Sequence, residues 1–285
     1  MTVARYYSPG LRPLIVGART CARPVMRIGH MVTFLVRALI SMPVTLLHYK
    51  REFARVLSDV TWGNGSVVVG GGTAGVIIVL GAAAGAIIGI EGYSTLDLLG
   101  MGPATGFISS FAATREMAPV MAALAFASQA GCRFTAQLGA MRISEEIDAM
   151  ESLAIRPIPY LVCTRLLASI VAVIPLYLVC LAMNYLTCEL VVRLSGAGSP
   201  GTYLHYFALV LDARDIGYSV LKAVVFVIIT STVQCYYGYY AAGGPQGVGV
   251  AAGRAMRTSI TVMIIANMLL TMALWGVDSG ARFGG

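Results

Sequence analysis

The sequence predicts an all-α integral membrane protein: an N-terminal interfacial helix, about five membrane-spanning helices, and one short cytoplasmic helix between the second and third spans. Three observations predict it. Of the 285 residues, 58% are hydrophobic and only 12% are charged, whereas soluble domains carry about 25% charged residues to cover their exteriors. The apolar residues fall in runs long enough to cross a hydrocarbon layer of ~30 Å. The charge is also segregated. Residues 1–60 hold nine Lys/Arg against Glu52 and Asp59, while the rest of the chain balances eleven basic with eleven acidic side chains, so the net +7 sits in the leader.

That leader, residues 1–60, reads as a basic cytoplasmic arm with interfacial helices, held near anionic headgroups. A basic arm can also bind nucleic acid, but this one runs straight into membrane spans, and no nucleic-acid partner is expected. The stretch from Ile28 to Leu47 is apolar, interrupted by Arg37 and closed around Pro43; it either lies on the membrane or crosses it. Tyr49–Val60 is amphipathic, with Phe53, Val56, Leu57 and Val60 at helical spacing between charged residues, the pattern of a helix lying in the interface. No cleavable leader with a compact apolar stretch and a small-residue cleavage site is visible.

Residues 61–285 read as one membrane domain. The first span is expected over about 66–90, where Gly71/Gly75 and Gly81/Gly85/Gly89 make successive G-x-x-x-G spacings that let two helix backbones approach closely in lipid. The second, about 98–138, is too long for a simple span and contains Pro103, Arg115, Glu116 and Pro119, so a bent or broken helix is expected. The third covers about 161–191, the fourth 220–241 and the fifth 258–276. With a cytoplasmic N-terminus the C-terminus falls outside. Loops 131–160 (Arg133, Arg142, Arg156) and 242–258 (Arg254, Arg257) are then inside, and the loop after the first span, with Glu91 and Asp97, is outside, in line with the positive-inside rule. An odd number of spans without an internal repeat implies a second subunit to complete any pathway.

Motifs for covalent chemistry are scarce. Cys21, Cys132, Cys163, Cys180, Cys188 and Cys235 form no C-x-x-C pair, and His30, His48 and His205 are far apart, so neither a disulfide frame nor a metal site is indicated. The only lysines are Lys50 and Lys222, and neither stands in a phosphate-binding G-K-[ST] loop. ATP hydrolysis would have to come from a partner, and no cofactor is expected. A gradient-driven carrier would need ionisable residues deep in several spans, and only Arg115 and Glu116 qualify clearly. A membrane-embedded lipid-modifying enzyme would need a convergent His/Asp cluster.

The most informative stretch is Arg115 to Arg165. Within it, Glu145, Asp148 and Glu151 recur at three-residue steps, and Ile147, Met150 and Leu153/Ala154 recur on another side. Early acids suit the helix dipole and Pro157 ends the helix. The result is a short cytoplasmic helix. It is either a solvated connector or a docking element for a soluble partner, with acids on the rim and Ile147 and Met150 as anchors. Arg115 and Glu116, adjacent at membrane depth, either form the polar end of a cavity or make an interhelical ion pair. Met117 and Met121 could add a deformable apolar lining.

These residues carry a resemblance. Arg115-Glu116-Met117-Ala118-Pro119, the small-residue run to Gly139, the block Glu145-Glu146-Ile147-Asp148-Ala149-Met150-Glu151, and Pro157 to Arg165 together resemble the MlaE/YrbE permease family. So do Gly238-Tyr239, Gly243-Gly244-Pro245-Gln246-Gly247-Val248-Gly249, and Ile90-Glu91-Gly92-Tyr93. The resemblance covers about residues 50–275. The glycine-rich block and the basic leader look most like actinobacterial YrbE subunits of Mce lipid importers. The resemblance implies a permease subunit in the plasma (inner) membrane. It pairs with a second, YrbE-like permease, ABC ATPase subunits bind below, and MCE-domain proteins form an external tunnel. It also implies that 145–151 is the ATPase-coupling helix, that Arg115, Glu116, Met117 and Met121 lie near a lipid pocket, and that a lipid (fatty acid, mycolic acid, sterol or phospholipid) is the cargo. Gln129, Gln137 and Thr164 depart from the residues common in relatives, which bears on the substrate path and not on the coupling block.

Overall fold

In a hydrocarbon layer each backbone N–H and C=O must find its partner within the protein, which leaves helices as the simplest solution for a single apolar chain. The computed structural model, which describes residues 12–62, 72–196 and 200–276, is all-helical over those residues. In chain order the helices are α1 (Arg12–His48), α2 (Lys50–Trp62), α3 (Gly72–Asp97), α4 (105–143), α5 (Glu146–Ser152), α6 (Ile158–Leu194), α7 (Pro200–Val210), α8 (Ala213–Tyr239) and α9 (Gly244–Trp275). Five helices among the described residues are long and apolar enough to cross a membrane: Ile28–His48 within α1, then α3, α6, α8 and α9. The chain is a multi-pass membrane protein.

The stretch expected as a bent second span is α4, which is not one uninterrupted helix and is not among those five; the fifth is the stretch Ile28–His48, which the sequence leaves either on or across the membrane. A 3-10 turn, Gly102–Ala104, leads into short α-helical pieces joined by wider π-helical segments at Ser109–Met117 and Ala127–Gly131. The prolines take up the ends of these pieces. Pro103 sits in the entry turn and Pro119 just after the first π segment, the usual places for helix distortion.

Other boundaries differ from the sequence-based expectation for local reasons. α8 starts at Ala213 and not near 220, because the Asp212 carboxylate caps it by accepting from the Arg214 N–H at 3.2 Å. Asp215 therefore lies in a helical first turn and not in a loop. α9 starts at Gly244, fourteen residues before 258. Gly243 and Gly244 make the turn at φ +95° and +69°, a conformation that costs glycine nothing, and Pro245 opens the helix. The stretch between α6 and α8 holds a further helix, α7, expected as loop.

Close packing sets the arrangement. α3 and α6 run parallel in contact. A Cβ on Gly81 would come 2.7 Å from the Cys180 carbonyl oxygen, one on Gly85 would overlap the Asn184 carbonyl, and one on Gly89 would come 2.9 Å from Cβ of Val191. Gly75 lies half-buried on α3, and Gly71 falls outside the described residues. α4 and α8 also run parallel: a Cβ on Gly238 would come 2.9 Å from the Thr135 carbonyl. α9 returns antiparallel beside them. The ends of α3, α6 and α9 and the starts of α4 and α8 thus meet near α7, the α7 end. The opposite end carries α5 and is the α5 end. α1 is fastened there, with Thr45 Oγ1 donating to the Pro159 carbonyl at 3.0 Å and Phe34 edge-on to Tyr236.

Candidate functional site

Towards the α7 end, three helices converge on a cluster of ionisable side chains. The wide π segment of α4 projects Arg115 and Glu116 from adjacent positions, α8 supplies Asp215 and Lys222 two turns apart on one face, and α9 supplies Asn267, Thr271 and Trp275 at four-residue steps. Arg115 donates to Asp215 Oδ2 from Nε at 3.0 Å and from Nη2 at 2.8 Å, and the Trp275 indole N–H donates to Asp215 Oδ1 at 2.8 Å. The guanidinium also lies over the Phe111 ring, 4.3 Å from its centroid. Asp215 sits in the first turn of α8, where the helix dipole favours a carboxylate.

Lys222 completes the second half. Its ammonium is 0% exposed and donates to the Arg115 carbonyl at 2.6 Å, to Thr271 Oγ1 at 2.7 Å and to Glu116 Oε1 at 3.0 Å. Glu116 also accepts from Thr271 Oγ1 at 2.6 Å and from Asn267 Nδ2 at 2.7 Å. That carbonyl lies in the π-helical stretch Ser109–Met117, just before Pro119, so the ammonium ties itself to the backbone where the helix changes pitch. Two cations and two carboxylates cancel, so the cluster is a neutral clamp across α4, α8 and α9. Such side chains are expensive at membrane depth unless paired.

The interhelical ion-pair alternative for Arg115 and Glu116 thus has its geometry, with partners the sequence reading did not name. Asp215 falls outside the fourth span expected over 220–241, and Lys222 lies inside it as a single lysine with no local acceptor. Arg165 is a further deep charge. It is buried on α6, donates from Nη1 to the Leu161 carbonyl at 2.8 Å and from Nη2 to Gln137 Oε1 at 3.2 Å. The expectation that only Arg115 and Glu116 are deep ionisable residues is therefore corrected. Met117 is exposed and Met121 half-buried on α4. Cavities of about 540, 480 and 390 Å³ lie at the α5 end, and none of Arg115, Glu116, Met117 and Met121 lines them.

At the α5 end, Glu145 turns the chain in the left-handed region (φ 61°) and α5 follows. Glu145, Glu146, Asp148, Ala149 and Glu151 are exposed. Asp148 is held by Arg142 Nη1 at 2.6 Å and Glu146 accepts from Ser144 Oγ at 2.9 Å. The expected anchor Ile147 is 0% exposed and belongs to the chain's own core, with Met150 packed partly against it. The apolar side of the amphipathic helix faces inward, which fixes α5 to its own chain and removes Ile147 as a docking anchor. The outward apolar group is Leu153, 72% exposed at the helix end.

A family model described as Permease MlaE matches residues 63–273, from the approach to α3 to the last turn of α9. Curated relatives agree. A probable ABC transporter permease protein of Rickettsia typhi is 31% identical over 193 residues, 68% of this chain and 74% of the relative. The chloroplastic protein TRIGALACTOSYLDIACYLGLYCEROL 1 of Arabidopsis thaliana is 29% identical over 180 residues, 61% of this chain and 49% of the relative. The intermembrane phospholipid transport system permease protein MlaE of Haemophilus influenzae is 25% identical over 202 residues, 70% and 77% of the two chains.

Proposed function

The chain belongs to the MlaE permease family, and from that premise we propose that it is the membrane subunit of an ATP-driven lipid importer of the Mce type. The observation that carries the reading is the family match across α3 to α9, the whole helical body that holds the charged clamp and α5. The relatives' names supply the class of activity: ABC transporter permease for one, phospholipid transport for another.

In this reading the chain does no covalent chemistry. A second YrbE-like permease faces it and completes a lipid pocket near Arg115, Glu116, Met117 and Met121, with Met117 exposed on α4. MCE-domain proteins deliver lipid at the α7 end, and ABC ATPase subunits sit at the α5 end. Charge supports that orientation. Arg133, Arg142, Arg156, Arg254 and Arg257 lie towards the α5 end, while at the α7 end Arg193 is bonded to Glu189 and Arg214 stands beside Asp212. The α5 end is then cytoplasmic and the C-terminus outside. α5 is the coupling element, with Leu153 as its apolar contact and Glu145, Asp148 and Glu151 as a charged rim. ATP binding in the partner shifts the population between two arrangements of the spans through that contact.

The test is co-purification in mild detergent with mass spectrometry, wild type beside a Glu145→Lys/Leu153→Asp variant. An ATPase, a second permease and MCE-domain proteins should accompany the wild type, and the ATPase alone should be lost from the variant. An intact wild-type preparation without an ATPase would sink the reading. Loss of every subunit together would sink the coupling assignment.

A further inference from the structure

The groove where α1, the turn after α5 and the start of α6 meet is not used by the transport reading. It encloses about 540 Å³, within the range of roughly 300–1,000 Å³ usual for small-molecule sites. Ile40 and Val44 of α1 form one apolar wall, and Ile155 and Pro159 form the other. The walls are fixed to each other: Thr45 Oγ1 donates to the Pro159 carbonyl at 3.0 Å, and Cys163 Sγ to the Ala38 carbonyl at 3.1 Å. Arg37 and Arg156 open onto this space with Glu151 as the single carboxylate, and among the described residues neither arginine forms an ion pair.

Arg37 is the decisive residue. It is the one charged side chain between Ile28 and His48, on a helix whose outward face is apolar, with Ile40 and Leu47 each 71% exposed. An arginine on such a helix that forms no ion pair among the described residues is stabilised by an anion from the headgroup layer. We propose that the groove binds an anionic phospholipid from the leaflet at the α5 end. Its phosphate sits between Arg37 and Arg156, and its acyl chains lie along Ile40, Val44 and Leu47. Charge selects this occupant: two arginines against Glu151 leave one positive charge, the complement of a phosphodiester. The apolar strip continuing along α1 selects a lipid over a free phosphate or an acidic peptide, which would leave that strip uncovered. The lipid is retained and not transported. By bridging α1 to the turn behind α5 it would steady the mount of that helix. The site does not depend on the direction or energy source of transport.

The test uses the full-length chain with its co-purifying subunits, placed in nanodiscs of phosphatidylcholine containing phosphatidylglycerol. After re-extraction in mild detergent, native mass spectrometry counts the retained lipids. The wild type should keep one phosphatidylglycerol per chain. Arg37→Gln/Arg156→Gln should weaken its retention roughly twenty-five-fold, at about fivefold for each arginine facing an anionic headgroup. Val44→Trp, which fills the groove without changing charge, should also release it. Arg254→Gln/Arg257→Gln, at the same end but off the groove, should keep it. Lipid-free melting temperatures equal to wild type show that the variants are folded. The proposal is overturned if the wild type retains no phosphatidylglycerol, or if both arginine pairs lose it equally, which would mean diffuse surface attraction. It is also overturned if Val44→Trp keeps the lipid, or if inorganic phosphate displaces it completely, which would mean a simple anion site.

Discussion

Replacing Lys222 by methionine tests the clamp most directly. Methionine keeps much of the apolar stem and removes the ammonium, which is wholly buried and donates at 2.6, 2.7 and 3.0 Å to Arg115, Thr271 and Glu116. Removing one partner of a buried ion pair costs about 3–5 kcal/mol. Two features put this case at the lower end. The Glu116 side chain is 38% exposed, so solvent screens its stranded charge, and Thr271 and Asn267 still donate to it. The expected loss is about 3 kcal/mol. At about 2–4 °C per kcal/mol for a chain of this size, the melting temperature in detergent falls by roughly 6–12 °C. A second substitution isolates the charge pair. Glu116→Gln leaves the buried ammonium without its carboxylate in the wild type, but in Lys222→Met it removes a stranded charge, so the two changes together should cost less than the sum of their separate costs by about 1 kcal/mol or more. The assay is thermal unfolding of the four proteins side by side. If Lys222→Met melts with the wild type, or the two costs simply add, the reasoning about the clamp is wrong.

Two other perturbations have sharp expectations. Gly85→Ala drives a methyl into the Asn184 carbonyl of α6 and should cost about 1–3 kcal/mol of overpacking. Gly249→Ala, with nothing within 4 Å of its Cβ, should be neutral or stabilise α9 by up to about 1 kcal/mol; equal melting shifts for the two would refute the close crossing of α3 and α6. Asp215→Ala strands the buried Arg115 and should destabilise by about 3–5 kcal/mol. Made in a Trp62→Phe background, where Trp275 is the one remaining tryptophan, it should also shift the fluorescence maximum as the indole N–H loses its acceptor, and unchanged emission would exclude that bond.

The helical, membrane-embedded architecture was legible because it follows from one-dimensional signals: long apolar runs, few charges, and glycines at four-residue steps. The misplaced boundaries arise where packing overrides local preference. The stretch Gly243–Gly253 is glycine-rich and reads as loop, because glycine is a poor helix former. It is helical from Gly244 because it lies against α4, where a Cβ on Gly139 would come 2.8 Å from Val248 Cγ1. α7 was hidden for a related reason. Its eleven residues are too few to read as a span, and it is held by contacts remote in sequence. Tyr203 is buried, Gly106 abuts the Tyr203 carbonyl, and Phe207 stands edge-on to Tyr185 with ring centroids 4.9 Å apart. For α5, the three-residue pattern correctly separated an acidic from an apolar side, but periodicity does not say whether the apolar side meets a partner or the chain's own core. Ile147 meets the core.

The charged cluster was half legible for a different reason. Arg115 and Glu116 announce themselves as adjacent charges in an apolar run, yet their partners lie about a hundred residues away on α8 and farther still on α9, and nothing local points to them. One weak signal points to the missing piece. Lys222 is the one basic residue between 220 and 241 and needs acceptors that its own apolar stretch does not offer. Arg115 and Glu116 supply two of them from adjacent positions, the backbone carbonyl of one at 2.6 Å and the carboxylate of the other at 3.0 Å. Because Asp215 takes the Arg115 guanidinium, the Glu116 carboxylate is left to the ammonium, and the two opposite charges meet at membrane depth within one protein.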